Sequence, residues 1–95
     1  MNEERYYYFQ QMSFEQKMKL TPNDFTITEF KEILNEMMLN DECKKIGLMH
    51  YIKCLGYDEI ADELQIDRKT VIRRLNKLLL NFRFTCIKLF FKLEA

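Results

Sequence analysis

The sequence predicts an all-α protein of four to six helices, and three observations carry the prediction. The 95 residues hold only two Gly and one Pro. Antiparallel sheets consume turn residues, so a sandwich or barrel is nearly excluded and long helices are favoured. Apolar residues recur at steps of three and four, the period of a helix face. Ser13 with Gln16 and Thr26 with Glu29 have the spacing of capping boxes, which mark helix starts. The apolar share of 47% and the charged share of 32% describe a folded chain. The length is that of one domain. It divides into an N-terminal helical extension over 1–40, a core over 42–80 and a C-terminal packing helix over 81–95.

Residues 1–12 are compatible with helix but weakly periodic. Ser13 opens a short helix from Phe14 to Leu20. Thr21-Pro22-Asn23-Asp24 is the clearest break, with Thr21 able to cap and Pro22 suited to a first helical position. Thr26 opens a helix to about Leu39 that presents Phe30, Ile33, Leu34, Met37 and Met38 on one side. Asn40-Asp41 caps another, Glu42 to Leu55, which Gly56 stops. Tyr57 to Leu64 is a short helix and Gln65-Ile66-Asp67 a turn. Asp67 caps a helix from Arg68 onward. In the last third, Phe82-Arg83-Phe84-Thr85 alternates like a strand. However, Leu75, Leu79, Phe82, Cys86, Leu89 and Leu93 form a heptad stripe, and Lys77, Asn81, Thr85, Lys88 and Lys92 a matching polar one. One long apolar C-terminal helix results, with a possible break near Asn81. Leu80, Phe84, Ile87, Phe90 and Phe91 widen its apolar arc, which therefore needs a cover.

Net charge is zero, but its distribution is uneven. Residues 1–47 carry six basic and nine acidic side chains, and residues 48–95 carry nine and six. From Arg68 to Leu93 there are eight basic residues and no acid. Because salt screens fields within about 8–10 Å, local charge decides what a surface attracts.

The segment from Tyr57 to Asn76, YDEIADELQIDRKTVIRRLN, reads as a helix-turn-helix. Ile60 and Leu64 face the core, Ala61 is small where the second helix crosses, and Ile66 plugs the turn. Val71 and Leu75 anchor the inner face of the second helix. Counting about 100° per residue from Val71, its outward face holds Lys69, Thr70, Arg73, Asn76 and Lys77, flanked by Arg68 and Arg74. Arg suits guanine edges, Asn suits adenine, and Lys and Thr suit phosphate.

The stretch Lys45 to Leu80 resembles the region-four domain of bacterial sigma factors and the related LuxR-type DNA-binding domains. The phrases GYDEIADEL, IDRKTV and RRL carry the likeness, together with Met49, Tyr51, Ile52 and Leu55 in the preceding helix. Gln65 departs from the pattern, standing where the family usually has Gly. A non-Gly residue in a left-handed turn costs on the order of 1 kcal/mol. Residues 1–40 lack the motifs of a full sigma factor. The resemblance implies that Lys69, Thr70, Arg73, Asn76 and Lys77 enter the major groove while Tyr57 touches the backbone. It also implies a small regulator of the phage or mobile-element type.

The remaining constellations favour structural roles. Cys43, His50 and Cys54 share a helical face, but at 1.5 Å per residue the two thiols would lie about 16 Å apart. No metal or cofactor is expected, and the cysteines read as small core hydrophobes, as do Cys86 and Met37, Met38 and Met49. A single His and no Gly-rich loop argue against an enzyme. The aromatic run Tyr6-Tyr7-Tyr8-Phe9 reads as packing on the C-terminal helix or on a second copy. Neither a signal core nor a membrane span is evident. Three unframed Cys suit a reducing cytoplasm. The expectation is a DNA-binding transcriptional regulator acting on double-stranded DNA as a homodimer through Leu79, Phe82, Cys86, Leu89, Phe90 and Leu93. The alternatives are a module docking on RNA polymerase or another regulatory protein, and a DNA-binding subunit of a packaging or segregation complex.

Overall fold

The computed structural model describes residues 3–90, and all regular structure among them is helical. In order these are α1 (Glu3–Gln10), α2 (Phe14–Lys17), a 3-10 turn (Pro22–Asp24), α3 (Ile27–Glu36), α4 (Asp41–Tyr51), α5 (Tyr57–Leu64) and α6 (Arg68–Phe90). Three of the capping signals act as written, at Ser13, Thr26 and Asn40, whereas the side chains of Thr21 and Asp67 form no cap bond among the described residues. Gln16 N donates to Ser13 Oγ, and Ser13 N to Gln16 Oε1. Thr26 and Glu29 exchange the same pair of bonds at 2.9 and 3.2 Å. Cys43 N donates to Asn40 Oδ1 at 2.9 Å. Each satisfies amides that the first helical turn leaves orphaned.

Several helices end earlier than periodicity alone predicts. α2 stops at Lys17, short of Leu20. α3 stops at Glu36 because Met37 is extended, with ψ 140°. An extended chain alternates its side chains, so Met37 is buried while Met38, expected in the core, is 89% exposed. α4 ends at Tyr51, short of Leu55, through a widened turn in which Lys53 N bonds Leu48 O and Leu55 N bonds Met49 O. Within it Cys54 takes φ 59° and is exposed, so it is not the core residue expected. Conversely, α6 runs unbroken past Asn81, and residues 82–85 are helix and not strand.

Among the described residues the chain divides into two compact units, 3–37 with 82–90, and 38–81. In the first, Phe9 of α1 stacks on Phe25 at 4.5 Å. Phe25 meets Phe82 of α6 edge-on at 5.3 Å, and Phe30 of α3 lies 5.9 Å from Phe82. Phe9 is buried against Phe25, which in turn meets Phe82 of α6, whereas Tyr7 and Tyr8 are exposed. Arg5 Nε and Nη2 donate to the buried Glu29 carboxylate at 2.9 and 3.0 Å, and Nη2 also to Asp24 O. The Arg5 guanidinium holds the Glu29 carboxyl below its ordinary value of 4.5, against the opposing effect of burial. Arg83 Nε donates to Leu20 O at 3.0 Å.

This unit corrects the expected dimer surface. Phe82 and Cys86 are completely buried within their own chain, so neither can face a partner. Burial, with a smaller contribution from Asp24, pushes the Cys86 thiol up to about 12. The buried seam of α6 is Val71, Leu75, Leu78, Phe82 and Cys86. It follows the 3.6-residue period from Val71, so Leu78 is buried where the heptad reading put Leu79. Leu79 and Leu89 are half-buried, while Leu80 and Phe84 are 57% and 60% exposed. The Phe90 side chain and Leu93, like Phe91 and Lys92, lie outside what is described.

Candidate nucleic-acid interface

The second unit is built around one apolar cluster. Ile46 and Met49 of α4, Ile60 and Ala61 of α5, and Val71 and Leu75 of α6 are buried together, with Tyr51, Leu55, Leu64 and Ile66 packed against them. Ile60, Ala61, Leu64, Ile66, Val71 and Leu75 therefore hold the positions expected from their spacing. Gly47 of α4 is buried as well, beside Leu78 of α6. A Cβ at Gly47 would collide with Leu78 Cδ1, so a side chain there would disturb the packing of α4 on α6. A glycine inside an amphipathic helix pattern was the available signal.

The turn between α5 and α6 is a Schellman motif. Ile66 N bonds Ala61 O at 3.0 Å and Gln65 N bonds Asp62 O at 3.3 Å. Gln65 takes the left-handed conformation, φ 54° and ψ 47°, so the position is of the type glycine favours although no glycine occupies it. Ile66, the next residue, drops into the apolar cluster, the hydrophobic contact that accompanies this motif. The ladder of α6 then starts with Val71 N bonding Asp67 O at 3.1 Å.

With Val71 and Leu75 buried, the opposite side of α6 turns outward. Lys69, Arg73, Asn76 and Lys77 are exposed and Thr70 is half-buried. Lys69, Arg73 and Lys77 stand four residues apart on one face. Among the described residues no acid pairs with any of the three. Arg73 Nη2 donates to Thr70 Oγ1 at 3.3 Å, which holds both groups on that face. This strip can supply three unneutralised cations and two neutral hydrogen-bonding side chains to an anionic surface.

The flanking residues differ from the strip and from one another. Arg74 Nε lies 3.0 Å from Glu42 Oε1 of α4, and the pair is partly buried. That N–H is closed off from solvent and is not aimed at an acceptor, so the contact is an ion pair without a hydrogen bond. The backbone carbonyl of Arg74 accepts a weak bond from Cys43 Sγ at 3.8 Å. Arg74 is thus committed to bracing α4 against α6. Arg68 Nε lies 3.2 Å from Asp58 Oδ1 of α5, with both side chains largely exposed. Its guanidinium sits 5.5 Å from the centre of the Tyr57 ring. Tyr57 in turn stacks on His50, with ring centres 5.3 Å apart. Leu55 O lies 2.9 Å from His50 Nδ1, which locates the connection leading into α5. Glu42 and Asp58 were not singled out by the sequence pattern, and His50 was weighed there only with Cys43 and Cys54 and not as a partner of Tyr57. Their roles depend on contacts between separate helices.

Among the described residues no helix is long and apolar enough to cross a membrane. Comparison with protein-family models, with curated proteins and with solved structures finds no match for this chain.

Proposed function

We propose that Tyr57–Lys77 is a helix-turn-helix that binds double-stranded DNA, with the first turns of α6 laid in the major groove, and that the protein acts in transcriptional control. The observation that carries this reading is the acid-free strip Lys69, Arg73 and Lys77 on the face of α6 opposite Val71 and Leu75. Thr70 and Asn76 beside it supply side chains suited to phosphate and to adenine edges. The sequence resemblance to sigma region-four and LuxR-type domains agrees with the reading. So does the Schellman turn at Gln65, which brings Ile66 into the core. Arg74, which lies 3.0 Å from Glu42, is less available to such a contact than the unpaired strip. Three free cysteines fit a reducing cytoplasm.

The proposed dimer changes its surface. Since Phe82 and Cys86 are core, a second copy would meet exposed apolar side chains of α6, Leu80 and Phe84. The same exposed residues favour the second reading, docking on RNA polymerase or another regulator. Salt separates the two. Fluorescence anisotropy of a labelled random-sequence duplex, measured across a salt series, should show binding that weakens steeply with salt. Each phosphate contact contributes a logarithmic slope of about −0.9. Lys69→Ala/Arg73→Ala should lose most of that binding while remaining folded. Absence of wild-type binding at ~50 mM salt, where nonspecific contacts are strong, would transfer the function to the apolar face.

A further inference from the structure

We infer that Asp58 is an intramolecular stand-in for a DNA phosphate at Arg68, so that DNA binding exchanges one anion for the other. The inference rests on the DNA-binding reading and adds a positioning residue to it. α5 exposes four acids, Asp58, Glu59, Asp62 and Glu63. Of these four, only Asp58 pairs with a cation of α6 among the described residues. Arg74 is one-third exposed with its Nε shut from water, so its partner Glu42 is less readily exchanged. Arg68 and Asp58 are 58% and 81% exposed at the side chain, and a pair so well hydrated is weak and readily exchanged.

What stays in place during the exchange is the platform. The Arg68 guanidinium lies over Tyr57, and Tyr57 is stacked on His50. The aromatic face restrains the guanidinium without consuming its N–H groups, which remain available for an oxyanion. Asp58 occupies one edge of that fork through Nε. A phosphate oxygen offers the same charge-assisted contact and a second oxygen for the rest of the fork. Arg68 is thus held pre-oriented next to the strip formed by Lys69, Arg73 and Lys77, and Asp58 sets the threshold at which it engages.

The test is a comparison of charge-matched variants by duplex anisotropy at fixed salt. Asp58→Asn and Asp62→Asn each remove one negative charge from the same helix, so general repulsion is relieved equally. Asp58→Asn should tighten binding about threefold beyond Asp62→Asn, the scale of one exposed ion pair. In an Arg68→Gln background that excess should vanish. Thermal melts of all variants identify any that fail to fold, and the Arg68→Gln comparison keeps the test decisive if Asp58→Asn weakens α5. Equal effects of Asp58→Asn and Asp62→Asn, or an excess that survives Arg68→Gln, overturn the exchange while leaving the DNA reading intact. Failure of wild type and every variant to bind overturns both. Binding by Asp58→Asn alone supports both.

Discussion

Replacing Gln65 by glycine should stabilise the protein. Gln65 holds φ 54° and ψ 47° at the end of α5. That conformation costs an L residue roughly 1–2 kcal/mol, and glycine is spared the cost. Against this, the freer unfolded chain of a glycine variant takes back about 0.5–1 kcal/mol. Little else changes. The Gln65 side chain is exposed and forms no hydrogen bond among the described residues, and both Schellman bonds are backbone bonds that survive the substitution. The net gain is about 0.5–1 kcal/mol. Urea unfolding followed by circular dichroism should show a higher midpoint with an unchanged slope. In a thermal melt the gain corresponds to about 3–6 °C. Gln65→Val should lower stability by about 1 kcal/mol and move the midpoint the other way, since a β-branched side chain tolerates the left-handed region poorly. A glycine variant no more stable than wild type, together with a harmless valine, would refute the left-handed turn and the entry of Ile66 into the core that depends on it.

Other consequences follow from the two cores. Arg5→Met should cost roughly 2–3 kcal/mol at neutral pH, because it leaves the buried Glu29 carboxylate without its cation. Arg5 depresses the folded-state Glu29 value below 4.5, so the contribution is present above that value and lost as pH falls through the depressed one. The gap between wild type and variant in urea midpoint should therefore close on acidification below about pH 4, and a gap independent of pH would argue against the ion pair. A thiol-reactive probe at mildly alkaline pH should label Cys54 rapidly, and Cys43 and Cys86 only on unfolding. Cys86 is both buried and pushed up to about 12. Phe82→Ala should lower stability by about 3–5 kcal/mol. A variant that keeps its stability but alters the association constant in sedimentation equilibrium would restore Phe82 to a surface role.

Local signals in the sequence were sufficient where one short segment settles the outcome. Ser13, Thr26 and Asn40 cap because a side chain reaches an amide three residues on, and that geometry needs no other helix. Ile60, Ala61, Val71 and Leu75 declared their burial through helical spacing, and by elimination the same spacing exposed Lys69, Arg73 and Lys77. Tertiary structure decided whatever depends on a neighbouring element. The stripe of α6 shifted from Leu79 to Leu78, and Phe82 and Cys86 went from candidate partner surface to core. A helix shows which residues share a face but not what covers that face; here it is Phe25 and Phe30 that meet Phe82. Arg68 and Arg74 are both cationic residues flanking the same strip. Only the approach of Asp58 on one side and Glu42 on the other separates an exchangeable cation from a structural one, because the degree of desolvation determines how firmly an ion pair is held.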